Sequence, residues 1–137
     1  MRKFMMSKER FQSLWLRHFA DGISESKLKK CYVDQFVWHI FSWELVKNEN
    51  LLVGDEARLA FDQVDKSSVI CCDKYGGDGV KNRLPARYQT AAKIDKWTIE
   101  YYVVSQDYSW TYIKTHEGDL CGPYFYRKSE ENDTQGI

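Results

Sequence analysis

The last third of the chain contains three segments rich in aromatic and β-branched residues, which are typical of β-strands. The segments are 97–104, 109–116 and 120–127. Only three or four residues separate each segment from the next. Connections this short join antiparallel neighbours, because a parallel crossover needs a dozen or more residues. The sequence therefore predicts an antiparallel meander at the C-terminal end of the chain.

Two helices are predicted in the first fifty residues. Ser7 can cap the first, in which apolar residues, with His18 at i+7, recur at i, i+3, i+4, i+7 and i+8 before Gly22. Ser24 can cap the second, and its pattern predicts one continuous helix over 24–48. The later turns of that helix are apolar on nearly all sides, so we expect it to be central. The side chains expected to be buried there are Ile40, Phe41 and Trp43.

A third, shorter helix is predicted behind Gly54, with Asp55 as its N-cap, and residues 67–72 form a brief β-prone run. The predicted fold class is α+β, with N-terminal helices packed on a C-terminal antiparallel meander of three to four strands. A length of 137 residues is about that of one domain. We expect residues 1–128 to form this single domain and residues 129–137 to be a disordered polar tail.

Charge is balanced overall but unevenly distributed. Twenty Lys and Arg residues match twenty Asp and Glu residues, which removes a global attraction for nucleic acid or anionic membranes. Residues 1–30 hold eight basic and three acidic residues, whereas residues 31–80 hold four basic and nine acidic ones. The sequence predicts a basic N-terminal face, and nucleic-acid binding through it ranks last among the functions considered.

The sequence favours a cytoplasmic location. The first residues lack the apolar stretch of a secretory signal, and no segment is long and apolar enough to span a membrane. The four cysteines form no C-x-x-C pair, so we expect free thiols rather than disulfides or a structural metal site. They are Cys31, Cys71, Cys72 and Cys121. No cofactor is expected.

His116 and Glu117 form the polar cluster best suited to chemistry, because a histidine beside a carboxylate can act as a general acid or base. The metalloprotease motif H-E-x-x-H is excluded, since Leu120 stands where the second histidine would be. Cys121 could serve as a nucleophile beside His116, but no third orienting residue is evident. A purely structural hydrogen bond of His116 is the alternative interpretation.

Aromatic side chains on both faces of the meander suggest that one face is partly open. Tyr, Trp and Arg are the residue types that most often anchor protein interfaces. The predicted contact residues for a partner protein are Trp110, Tyr112, Tyr124, Tyr126 and Arg127.

Four ordered strings carry a family resemblance. They are WHIFSWE at 38–44, GDEARLAFD at 54–62, YSWTYIKTHE at 108–117 and GPYFYRK at 122–128. With these strings the chain resembles a family of small Gram-positive bacterial proteins classed only as a domain of unknown function. The resemblance implies an intracellular bacterial protein and supplies no reaction.

Two functional hypotheses follow. Small α+β proteins of this kind are often immunity proteins, and by this analogy the first hypothesis is a non-catalytic protein-binding module of immunity or regulatory type. The alternative is a small hydrolase or transferase that uses His116 and Glu117. A concave pocket with His116 at its wall would indicate the enzyme, and a broad aromatic patch would indicate the binding module.

Overall fold

The computed structural model describes residues 6–33, 36–46, 49–76, 79–117 and 120–128. Within these residues it contains five α-helices, one short 3-10 helix and a five-stranded antiparallel sheet. The helices are α1 (Lys8–Phe19), α2 (Glu25–Lys30), α3 (His39–Ser42), α4 (Asp55–Gln63) and α5 (Ala91–Asp95), and the 3-10 helix is Ala86–Tyr88. The strands are β1 (Leu51–Val53), β2 (Val69–Asp73), β3 (Tyr101–Ser105), β4 (Trp110–Lys114) and β5 (Tyr124–Arg127). The α+β class is as predicted.

The strand order in the sheet is β1-β5-β4-β3-β2. Strands β2 to β5 follow one another as a meander, and β1 pairs antiparallel with the outer edge of β5, with Leu52 opposite Phe125. The prediction of three to four strands is wrong, since the sheet has five. The strand that raises the number is β1, which has only three residues and is too short to show an alternating pattern.

Helix α1 begins where the sequence predicts, after Ser7, and it ends at Phe19, three residues before the predicted stop at Gly22. The Ser7 hydroxyl accepts a hydrogen bond from the backbone N–H of Arg10 at 3.0 Å, which satisfies one free donor of the first turn. Trp15 is buried, and its indole N–H donates to the Thr111 hydroxyl of β4 at 2.9 Å. The Phe11 ring stacks on Tyr102 of β3 with a centroid distance of 6.1 Å. These contacts join α1 to one face of the sheet.

The single long helix predicted over 24–48 is wrong. Helix α2 ends at Lys30, and Tyr32 adopts a left-handed conformation with φ of 58°. The N–H of Tyr32 donates to the carbonyl of Lys29, and the N–H of Val33 donates to that of Leu28. This pair of bonds is the Schellman arrangement that ends helices, in which the left-handed residue is usually Gly. A tyrosine at this position gave no sign of the helix end.

Because α2 ends at Lys30, the side chains of the segment that follows are not all buried as predicted. Helix α3 is one turn, and Ile40 and Phe41 lie in the core as predicted. Trp43 was predicted to be buried, but 51% of it is exposed. It follows the last residue of α3, and Glu44 then turns the chain with φ of 60°, so the Trp43 ring stays at the surface.

Apolar side chains cover both faces of the sheet. On one face, residues of α1 and α3 join a core cluster with Tyr102, Ile113 and Tyr124. On the other face, Phe61 of α4 stacks on Tyr112, with a centroid distance of 4.2 Å. Ala57 and Ile94, from α4 and α5, belong to this second cluster. Helix α4 starts after Gly54, which takes the N-cap position predicted for Asp55.

Two predicted features lie wholly or partly outside the described residues. The polar tail predicted at 129–137 lies wholly outside them. The turn predicted at 117–119 includes two residues outside them, so its form is not described. Among the described residues, no helix has both the length and the apolar character needed to cross a membrane.

The four cysteines are free thiols, as predicted, and three of them are buried. Burial raises the pKa of the Cys72 thiol to about 12, so very little reactive thiolate forms near neutral pH. Alkylation of the folded protein is therefore expected to be slow at Cys72 and fastest at the partly exposed Cys121. In denaturant, mass spectrometry should count four alkylated groups. Two or none would contradict the free-thiol assignment.

Candidate functional site

A fully buried carboxylate, Glu100, lies just before β3 and accepts hydrogen bonds on both oxygens. Its Oε2 accepts from the indole N–H of Trp38 at 2.9 Å and from the Tyr102 hydroxyl. Its Oε1 accepts from the backbone N–H of His116 at 3.0 Å, and the His116 Nδ1 lies 2.6 Å from the same oxygen. A buried carboxylate is costly unless such partners satisfy it. The Glu100 network therefore ties three distant segments of the chain together.

His116 lies between the buried network and the surface. Its side chain is 38% exposed, and its Nε2 is 3.7 Å from Oε2 of Glu117. The imidazole packs against the rings of Phe36 and Trp38, with centroid distances of 5.0 Å and 5.9 Å. Because Glu100 accepts at Nδ1, the Nε2 atom is the one that can exchange a proton with another molecule.

The structure brings the predicted pair His116 and Glu117 together, but the shorter contact of His116 is to Glu100. Sequence reasoning missed Glu100 as a site residue. An acidic residue between Ile99 and Tyr101 at the start of a β-rich segment was the available signal, because a carboxylate there is either solvated or hydrogen-bonded in the interior.

The Tyr102 hydroxyl beside Glu100 and the Cys121 thiol beside Glu117 stay in their neutral forms. Burial, and then the Glu100 carboxylate, raises the pKa of Tyr102, so its hydroxyl remains a donor. Burial, and then a hydrogen bond with Glu117, raises the pKa of the Cys121 thiol. A nucleophilic cysteine needs the opposite change, a lowered pKa. The arrangement gives no support to Cys121 as a nucleophile activated by His116.

A groove of about 300 Å³ lies between α1 and the sheet. Its lining residues are Lys8, Glu9, Phe11, Gln12, Val37, Cys72, Lys74 and Tyr102. His116 is not among them, so this groove would not hold a substrate against Nε2. Among the described residues, no group of three or more His, Cys, Asp or Glu side chains is arranged to hold a metal ion.

Three of the predicted contact residues are not at the surface. Trp110, Tyr112 and Tyr124 are buried, because core clusters cover both faces of the sheet rather than one. The expectation that these rings are exposed is wrong. Tyr126 is half-buried against Phe19, and Arg127 is exposed. A role of Tyr126 and Arg127 in binding stays a prediction.

Exposed aromatic rings lie instead beside α2 and α3. Tyr32 is 54% exposed and Trp43 is 51% exposed, and their rings meet edge to face with a centroid distance of 6.3 Å. The His39 ring also stacks on Trp43, with a centroid distance of 5.9 Å. We call these three residues, with Leu28, the Tyr32–Trp43 surface. Sequence reasoning missed it because a continuous helix placed Trp43 in the core.

An apolar groove of about 420 Å³ adjoins this surface. Its lining residues are Glu25, Leu28, Lys29, Tyr32 and Val33. Tyr32, which has the left-handed backbone at the end of α2, lines this groove and is exposed. Exposed rings and a concave apolar groove together are typical of surfaces that bind another molecule.

These features define a small α+β domain with a five-stranded antiparallel sheet, a buried Glu100 network and an exposed aromatic surface. The chain belongs to the family described as Domain of unknown function (DUF4275), whose family model matches residues 2–125. This agrees with the predicted membership of a family of unknown function. Neither a curated protein nor a solved structure matches the chain.

Proposed function

We propose that this protein is a non-catalytic, cytoplasmic module that binds another protein, as an immunity-type or regulatory partner in a Gram-positive bacterium. The observation that carries the proposal is the exposed pair Tyr32 and Trp43, which form one continuous aromatic surface. Tyr and Trp in neighbouring positions are the side chains that most often dominate binding energy at protein interfaces. Leaving two such rings in water brings no benefit to the isolated fold.

The backbone of Tyr32 supports the same proposal. A left-handed conformation costs a non-glycine residue about 1–2 kcal/mol, and a glycine at this helix end would avoid that cost. The Tyr32 ring is exposed, so it does not repay this cost through burial in the core. Strain of this kind is often found at sites where a side chain has a binding role.

The test uses two variants of the surface and one control. Tyr32→Gly is expected to keep the free energy of unfolding within about 1 kcal/mol of the wild type, because Gly adopts a positive φ without steric cost. Once the partner has been identified by affinity capture from the source cells, Tyr32→Gly and Trp43→Ala should each weaken its binding at least tenfold, measured by calorimetry. The control, Trp97→Ala, removes a ring that is 44% exposed and packs against Tyr88 of the other core cluster, the one formed with α4 and α5. Equal binding of all four proteins would contradict the proposal.

One observation favours a second candidate, the small hydrolase or transferase that uses His116 and Glu117. A buried carboxylate at Nδ1 and a partly exposed Nε2 are the arrangement by which histidine acts as a general base. Glu117 lies beside Nε2 and could receive or return the proton. The same contacts also serve a structural role, because both the backbone and the ring of His116 contact Glu100.

His116→Gln separates the two roles. We expect the structural one: the variant should lose about 1–2 kcal/mol of stability, because a neutral amide replaces the ring contact with Glu100. Partner binding, measured on the folded fraction, should stay within about threefold, well under the tenfold change that 1.4 kcal/mol represents. A fully stable variant that lost binding or a measured turnover a hundredfold would establish His116 as a functional residue instead.

A further inference from the structure

Strands β1 and β2 form the two edges of the sheet. The outer side of β2 is partly covered, because Cys71 exchanges two backbone hydrogen bonds with Lys81, at 2.9 Å and 2.8 Å. Among the described residues, β5 is the only strand that pairs with β1. An uncovered edge strand presents unpaired N–H and C=O groups to another strand. Strand β1 is therefore the edge at which this sheet can be extended.

The hydrogen bonds on either side of β1 show which of its backbone groups point outward. The carbonyl of Asn50 accepts a bond from the β5 side at 3.3 Å, and the N–H of Gly54 donates one to the residue before β5 at 2.9 Å. Bonded positions alternate along an antiparallel ladder, so Leu52 is also bonded to β5. Leu51 and Val53 therefore direct their N–H and C=O groups away from it. Within the described part of the chain, these outward groups have no hydrogen-bond partner.

A second copy of β1 matches this pattern of outward groups. When two copies run antiparallel about a two-fold axis at Leu52, Leu51 of each copy lies opposite Val53 of the other. Each such pair exchanges two backbone hydrogen bonds, because both of its residues have their N–H and C=O groups on the outer side. The two pairs together use every outward group of both strands. The strand is thus complementary to itself, as a two-fold contact between identical chains requires.

The side chains of β1 favour the same pairing. Val53 is 48% exposed, whereas Leu51 is half-buried against the core cluster that contains residues of α1 and α3. The two residues lie on one face of the sheet, so Val53 would pack beside Leu51 of the second copy and lose exposed apolar surface. The strand contains no Lys or Pro, which often protect sheet edges from pairing. Its short length is the one protection that it has.

Charge opposes this contact only weakly. The chain has zero net charge, so two copies do not repel each other as a whole. The charged residues closest to β1 along the chain are Glu49 and Asp55, and both lie outside the strand. Asp55 forms an ion pair with Arg58 at 2.8 Å, which reduces its repulsion of an acidic residue in the second copy.

We infer that two copies of this chain associate through β1, antiparallel and in register about Leu52, and so join their sheets into one continuous sheet. The inference does not rest on the proposed function and adds a second interaction surface to the molecule. A strand of three residues forms only four hydrogen bonds with its copy. We therefore expect a dimer that dissociates on dilution.

Sedimentation equilibrium of the full-length protein measures the association. The mass should rise with concentration towards twice that of the monomer, and a monomer at every concentration up to about 1 mM would overturn the inference. Val53→Lys should weaken the dimer at least tenfold, because it places a charge beside Leu51 of the other copy. The matched control is Tyr75→Lys, which changes a residue that is 62% exposed and follows β2 at the opposite edge. The control should dimerise like the wild type, and equal weakening by both changes would overturn the inference.

Disulfide crosslinking tests the register. Leu52 lies opposite its own copy in a non-bonded pair, with Cα atoms about 4.5 Å apart, a distance that a disulfide spans. Leu52→Cys should therefore form a covalent dimer on mild oxidation. Val53→Cys should not, because its copy lies two positions further along the strand, more than about 7 Å away. Val53→Cys keeps the four native cysteines and so also controls for crosslinking through them. Equal crosslinking of the two variants, or none in Leu52→Cys, would overturn the inference even if the protein dimerises.

Discussion

Replacing Glu100 by Ala is expected to lower the free energy of unfolding by about 3–5 kcal/mol, the usual cost of removing one partner from a buried charged network. The donors left without an acceptor are the Trp38 indole, the Tyr102 hydroxyl and the backbone N–H of His116. The hydrogen bonds of the Trp38 indole and the Tyr102 hydroxyl are buried, so leaving these two donors without an acceptor costs more than the bonds themselves contribute. Urea denaturation followed by tryptophan fluorescence measures the change.

Two further variants control for volume and for a single bond. Glu100→Gln keeps the shape and one acceptor oxygen, so its loss should be smaller than that of Glu100→Ala. Tyr102→Phe removes one donor to a charged acceptor and should cost about 1.5–3 kcal/mol. A loss below about 1 kcal/mol for Glu100→Ala would mean that the network does not stabilise the fold. The carboxylate would then be better explained by a functional role.

Ile40→Ala is the second change with a large expected effect. Ile40 is fully buried in the core cluster that joins α1 and α3 to the sheet, so truncation leaves a cavity. The expected loss of stability is about 2–5 kcal/mol, again from chemical denaturation. Leu59→Ala in α4 is the matched control, because Leu59 is exposed and should cost less than about 0.5 kcal/mol. A loss for Ile40→Ala as small as the control's would contradict the packing of α3.

Local sequence patterns predicted the elements that obey local rules. Helix α1 has a capping serine and a regular apolar stripe, and the strands of the meander have β-prone residues between short turns. The end of α2 could not be predicted, because Tyr32 occupies a left-handed position that usually holds Gly. The exposure of Trp43 follows from a second left-handed residue, Glu44, which turns the chain after α3. Local patterns thus failed where the backbone departs from the usual residue preference.

The candidate site depends on contacts between distant residues. His116 could be selected from the sequence, but its partner Glu100 lies 16 positions away, and Trp38 lies 62 positions from Glu100. The burial of Trp110 and Tyr112 depends on Phe61 of α4 packing across the second sheet face. No alternation within a strand reveals whether a helix covers a given face. The sequence therefore could not show which aromatic rings remain exposed.

Amide hydrogen exchange of the protein, alone and bound to its captured partner, tests most directly that the Tyr32–Trp43 surface is the binding site. The account predicts slower exchange on binding in residues 25–33 and 39–46, the segments that form this surface and its groove. Residues 113–117, which include His116, should exchange equally in both states. Protection confined to 113–117, with no change at 25–33 and 39–46, would contradict the account.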